Sequence, residues 1–134
     1  MIVGIGQDIC NVNRISNTIN RFGYRFKNRI YTKNEIIKCE KRLKSVDSYA
    51  RRFAAKEACS KALGTGFRKG VFYKDIEIIN LPSGKPTIKL HGGAKNILKS
   101  ICPLHTLPLL EVSITDDIKI AMAIVIISVV NKEQ

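Results

Sequence analysis

The chain opens on Ile2-Val3-Gly4-Ile5-Gly6-Gln7, an apolar stretch of strand length that ends at Asp8. From about Asn11 the pattern turns helical. Ile15, Ile19, Phe22 and Phe26 form one stripe, and Arg14, Arg21 and Arg25 form a second beside it. Gly23 interrupts this run. Thr32-Lys33-Asn34-Glu35 has the spacing of a capping box and predicts a short helix through Cys39. An alanine-rich helix is predicted from about Tyr49 to Leu63, capped by Ser45, Asp47 or Ser48 and stopped by Gly64.

The second half reads mostly as strands. Phe67 to Lys74 is a loop around Gly70, and Asp75 to Leu81 alternates as a strand. The turn Pro82-Ser83-Gly84-Lys85-Pro86 leads into a strand from Thr87 to Leu90. Gly92 to Ile101 suits a helix with Ala94, Ile97, Leu98 and Ile101 inward. Pro103 and Pro108 bracket a loop, and Leu110–Thr115 pairs with Lys119–Val130 around Asp116-Asp117. The expected class is α+β, with helices packed on an antiparallel sheet. A length of 134 residues predicts a single domain over residues 1–134.

The start of the chain lacks the basic and apolar regions of a signal peptide, so a cytoplasmic protein is expected. The most apolar segment, Ile118 to Val130, contains Lys119 and is too short to cross a bilayer as a helix, so no membrane partner is expected. Cys10, Cys39, Cys59 and Cys102 have no metal-ligand spacing and read as reduced, mostly buried thiols. Net charge is more telling. Of a total of +12, residues 14 to 74 alone carry +13, with 17 basic and 4 acidic side chains. Such a block predicts an anionic partner: a nucleic acid, a phosphorylated metabolite or an acidic protein.

Glu57 and Lys61 are four apart on the alanine-rich helix and share a face with Ala50 and Ala54. They form either a solvated surface pair or a carboxylate and an ammonium beside a phosphate, with the small alanines leaving room. Asp8, at the end of a glycine-containing strand, is either a turn-capping aspartate or a ligand for a hard cation. Magnesium takes one or two carboxylates together with phosphate oxygens and waters, and Asp8 with Glu57 supplies such a pair.

Taken together, MIVGIGQDIC and RFAAKEACSKALGTG closely resemble the opening and central signatures of the bacterial holo-(acyl-carrier-protein) synthases, in the 4'-phosphopantetheinyl transferase family. Gly84-Lys85-Pro86 and Val112-Ser113-Ile114-Thr115 follow in the same order, so the resemblance covers essentially the whole chain. It implies transfer of the phosphopantetheine arm of coenzyme A to a serine of an acyl carrier protein. It implies Mg²⁺ on Asp8 and Glu57, and a catalytic role for Glu57 and Lys61. Contacts to coenzyme A are implied for Gly64, Thr65, Gly84, Lys85, Pro86 and Ser113. A homotrimer with active sites between subunits is also implied. Many members carry a histidine where this chain has Asp116 and Asp117, so that histidine's role does not transfer. His91 and His105 remain without a catalytic assignment.

Arg14 matches a position that contacts the carrier in the family, and Arg21 is its companion; Arg25 follows more distantly. Carrier proteins are acidic, and complementary charge steers such encounters. A small basic nucleic-acid-binding domain is the competing reading, but no RNP-like motif, zinc spacing or helix-turn-helix pattern accompanies the charge, and no nucleic-acid partner is expected. A silent scaffold that binds carrier protein without turnover is the third.

Overall fold

Glycine at positions 4 and 6 decides how closely the layers of the molecule approach. In the computed structural model, which describes residues 1–133, β1 (Ile2–Asn11), β5 (Ile120–Asn131) and β4 (Thr106–Asp117) form an antiparallel sheet in the order β1-β5-β4. Helix α4 (Ser45–Leu63) lies across its inner face. A Cβ at Gly4 would land on the Ala62 carbonyl oxygen, and one at Gly6 on that of Ala58. The GxG spacing therefore admits the backbone of α4, and no ligand. Ala50, Ala54 and Ala58 are fully buried, so they fill the core beside the sheet and are not what opens space beside Glu57. Val125, Ile127 and Val129 of β5 close this core, and each contributes about 1.5–3 kcal/mol by its burial.

The remaining elements wrap this pair of layers. Helices α1 (Val12–Phe22) and α2 (Tyr24–Ile30) are separated by Gly23 at φ 56°. The break leaves Phe22 exposed at the end of α1, whereas Phe26 packs edge-on against Tyr31. Helix α3 (Lys33–Glu40) begins with the capping box of Thr32 and Glu35. Helix α4 starts earlier than its periodicity suggests, at Ser45, and its N-cap Lys44 makes no side-chain cap. Ser48 instead lies inside, accepting from Arg52 Nη1 at 2.7 Å. A 3₁₀ turn, Tyr73–Asp75, leads into β2 (Ile76–Asn80), which pairs with β3 (Pro86–Leu90); α5 (Gly92–Ile101) follows, burying Ala94 and Leu98.

Two strands run well beyond their predicted ends. Strand β1 runs on to Asn11, so Asp8 lies within it, opposite Ala123. The alternation of side chains then places Asp8 on the same face as Gly4, Gly6 and Cys10, toward α4. Strand β4 begins at Thr106 and includes Pro108, which was expected in a loop. It is an edge strand, where a missing backbone N–H is tolerated.

Candidate functional site

Asp8 arrives on β1 and Glu57 on α4, and both line one cavity of about 320 Å³ with Arg14, Cys10 and Phe53. Lys61, one turn after Glu57, reaches the strand: its Nζ donates to Asp8 Oδ1 at 3.0 Å and to the Gln7 carbonyl at 3.0 Å. Glu57 turns elsewhere and accepts from the Tyr73 hydroxyl at 2.6 Å. The expected Glu57–Lys61 contact is not among the ion pairs of the described residues; each side chain has a partner from another part of the chain.

Electrostatics keep the neighbouring groups protonated. Burial pushes the Tyr73 hydroxyl well above the usual phenol range, and its bond to Glu57 adds to this. It is a donor at any working pH. Burial, reinforced by the charge of Asp8, pushes the Cys10 thiol up to about 11, which removes it as a nucleophile near neutrality. Asp8 and Glu57 are hard oxygen donors. Among the described residues no group of three or more His, Cys, Asp or Glu side chains can hold a metal. Two carboxylates without a third protein ligand fit an ion that completes its shell with waters and phosphate oxygens, as Mg²⁺ does.

The other expected site residues lie apart from this cavity. Gly64 caps α4 in the left-handed region at φ 85°, and the Thr65 hydroxyl bonds the Gly66 carbonyl. Gly84 and Lys85 form the turn before β3, where Lys85 Nζ pairs with Glu111 at 3.0 Å. Pro86 borders a small depression with Arg42, Arg51 and Arg52. Ser113 is exposed on β4, opposite Ile124. The chain thus brings together Asp8, Glu57, Lys61 and Arg14, and holds Lys85, Pro86 and Ser113 elsewhere. Arg21 and Arg25 are exposed, on α1 and α2 respectively, and only Arg14 reaches the cavity.

Asp116 meets a cation. Its Oδ1 lies 3.9 Å from Arg51 Nε, and Arg42, Lys44 and Arg51 line a second depression with it. No pattern in the sequence marks that basic cluster, although it falls in the positive block; Tyr73, in a segment that reads as a loop and forms the start of the 3₁₀ turn, carries no signal at all. The positive block is not one continuous surface, because Arg52 and Lys56 are buried. His91 is bound to Glu77 at 3.1 Å and His105 occupies the turn before β4.

Residues 4–123 match the model of the 4'-phosphopantetheinyl transferase superfamily. A holo-(acyl-carrier-protein) synthase from Methylobacterium radiotolerans is 52% identical over 127 residues, covering 95% of this chain and 93% of the relative. Among solved structures, the holo-(acyl-carrier-protein) synthase of Neisseria meningitidis superposes with a TM-score of 0.85 at 34% identity, covering 96% of this chain and 99% of that one. The Helicobacter pylori enzyme of the same name, solved in complex with coenzyme A, gives 0.77 at 35% identity, covering 92% and 99%.

Proposed function

The chain belongs to the 4'-phosphopantetheinyl transferase superfamily, and from that membership we propose that it is a holo-(acyl-carrier-protein) synthase. It transfers the 4'-phosphopantetheine arm of coenzyme A to a serine of an apo acyl carrier protein and releases 3',5'-ADP. The observation that carries this reading is the meeting of Asp8 and Glu57 at one cavity, with the Lys61 ammonium beside Asp8.

The serine hydroxyl oxygen attacks the phosphorus bearing the pantetheine arm, the bond to the bridging oxygen of the diphosphate breaks, 3',5'-ADP leaves, and the hydroxyl proton is released to solvent. Such a displacement asks the protein chiefly for positioning and for charge stabilisation. Asp8 and Glu57 would hold Mg²⁺, whose chemistry here is to neutralise the diphosphate and its departing half. Lys61 is half-exposed and reaches the same carboxylate, so it can offset negative charge growing on the leaving phosphate. Arg14, on the cavity rim, offers the first contact to an acidic carrier, with Arg21 further along α1.

The separation of the site residues supports assembly. The outer face of the β1-β5-β4 sheet exposes Ile5 and Ile9 by 61% and 60%, beside Met122 and Ile120. We read this apolar face as the contact between copies, and Lys85 and Pro86, which lie apart from the cavity within one chain, as serving the nucleotide end of coenzyme A bound at a neighbour's. We read the assembly as the homotrimer of the family. No helix among the described residues is long and apolar enough to cross a membrane.

Incubation with coenzyme A, Mg²⁺ and apo carrier protein, followed by intact mass, tests the reading. One phosphopantetheine unit should be gained, and Asp8→Ala or Glu57→Ala should abolish the gain while the protein stays folded. A wild-type chain that binds carrier without adding that mass would support the scaffold reading instead. Full turnover in either variant would remove the metal site.

A further inference from the structure

We propose that Tyr73 is a positioning residue that fixes the Glu57 carboxylate and limits it to offering a cation a single oxygen. This rests on the reading of Asp8 and Glu57 as the cation pair. The Tyr73 hydroxyl donates to Glu57 Oε1 at 2.6 Å, the length of a strong bond to a carboxylate. That oxygen is thereby engaged by protein, and Oε2 is left for a ligand.

The tyrosine is itself held at both ends. Its ring lies in an aromatic stack, 3.6 Å from the centroid of Phe67 at 17° and 5.6 Å from that of Phe53 at 20°. Its backbone carbonyl accepts from Lys56 Nζ at 3.0 Å. Lys56 and Glu57 are adjacent on α4, so two neighbouring residues of one helix grip the same tyrosine by its carbonyl and its hydroxyl. Phe53 also lines the cavity of Asp8 and Glu57, which ties the stack to the site. Tyr73 is thus placed to orient Glu57 without facing the reacting atoms.

A carboxylate held to one free oxygen favours Mg²⁺, which is small, octahedral and keeps its waters. It disfavours Ca²⁺, which readily takes both oxygens of a carboxylate. Partners that orient a metal-binding side chain typically cost 10- to 100-fold in metal affinity when removed. Tyr73→Phe keeps the ring stack and removes only the hydroxyl.

The test is calorimetric titration of MgCl₂, and separately of CaCl₂, into the full chain with saturating coenzyme A, for wild type, Tyr73→Phe and Glu57→Gln. In Tyr73→Phe the Mg²⁺ dissociation constant should rise roughly tenfold, and the Ca²⁺ constant should rise less or fall. The preference for Mg²⁺ over Ca²⁺ should therefore shrink, with the circular-dichroism spectrum unchanged. A general loss of packing would weaken both ions alike, so an unchanged ratio overturns the proposal even if affinity drops. Wild-type values for both ions in Tyr73→Phe overturn it as well. If wild type binds no Mg²⁺, or Glu57→Gln binds it as wild type does, the cation pair itself is wrong and this inference falls with it.

Discussion

Two lysines five positions apart on α4 each meet a carboxylate from a distant element, and the two pairs do opposite things. Lys56 Nζ lies 2.7 Å from Glu35 Oε1, with both side chains fully buried. Lys61 Nζ lies 3.0 Å from Asp8 Oδ1, with the lysine 53% and the aspartate 18% exposed. Five helical residues rotate the side chain by about 140°, so one lysine enters the core while the other faces solvent. The buried ammonium also donates to the Tyr73 and Ile76 carbonyls, and Glu35 also accepts from the Thr32 and Ile78 amides. That network ties α3, α4, β2 and the 3₁₀ turn together. The open pair joins only α4 to β1, and its partners remain available to a ligand. Chemically alike pairs thus divide into scaffold and candidate site by how far each is desolvated and bonded.

The sharpest way to break the comparison is to cut each pair at its lysine. Lys56→Met leaves the Glu35 carboxylate buried and short of a donor, and should lower unfolding free energy by about 3–5 kcal/mol, measured by urea denaturation. Adding Glu35→Leu removes the stranded carboxylate but orphans the Thr32 and Ile78 amides, each costing about 1–3 kcal/mol. The double variant should therefore recover only part of the loss. A Lys56→Met midpoint equal to wild type would mean that the sealed pair holds nothing together.

Much of this arrangement was legible, and the illegible part has a common cause. The α4 helix, its Gly64 stop and the Thr32–Glu35 capping box were readable because each is decided by neighbours within about four residues. The capping box concealed the second task of Glu35, since Lys56 lies 21 positions away in a segment that reads as a motif. Asp8 and Glu57 were readable as candidates, but their shared cavity depends on β1 lying against α4, and GxG signals only that something comes close. Pro108 misled because a proline says loop or edge strand equally well, and only the pairing with β5 decides. The Arg51 partner of Asp116 required contact between α4 and the end of β4, which no local pattern announces.

The open pair predicts the converse of the sealed one. Lys61→Met should shift stability by no more than about 1 kcal/mol, as exposed ion pairs do. It should lower kcat by about 10²–10³-fold, the usual cost of losing one charge-stabilising donor, while KM for coenzyme A changes far less. Single-turnover kinetics with a urea melt separates these effects. A variant that melts early but turns over normally would reverse the assignment of the two lysines.

The smallest effect comes from two thiols that flank the pairs and report on solvent at each. Cys59 follows Lys56 by one turn of α4, and burial pushes it up to about 12, with the Lys56 charge pulling slightly the other way. Cys10 is pushed up to about 11 by burial and then by Asp8. At pH 8 the thiolate fractions are then on the order of 10⁻³ for Cys10 and 10⁻⁴ for Cys59, against about a quarter for an unperturbed thiol. Both should resist iodoacetamide in the native protein, but for different reasons. Cys10 borders the cavity, so its labelling should rise about tenfold per pH unit between pH 7 and 9 and slow when coenzyme A and Mg²⁺ are present. Cys59 lies in the core, and its labelling should instead follow global unfolding, accelerating in urea and in Lys56→Met but not with ligand. Peptide mass mapping distinguishes the two sites. Equal native-state rates would mean that water reaches both lysines alike, and the division between scaffold and site would fail.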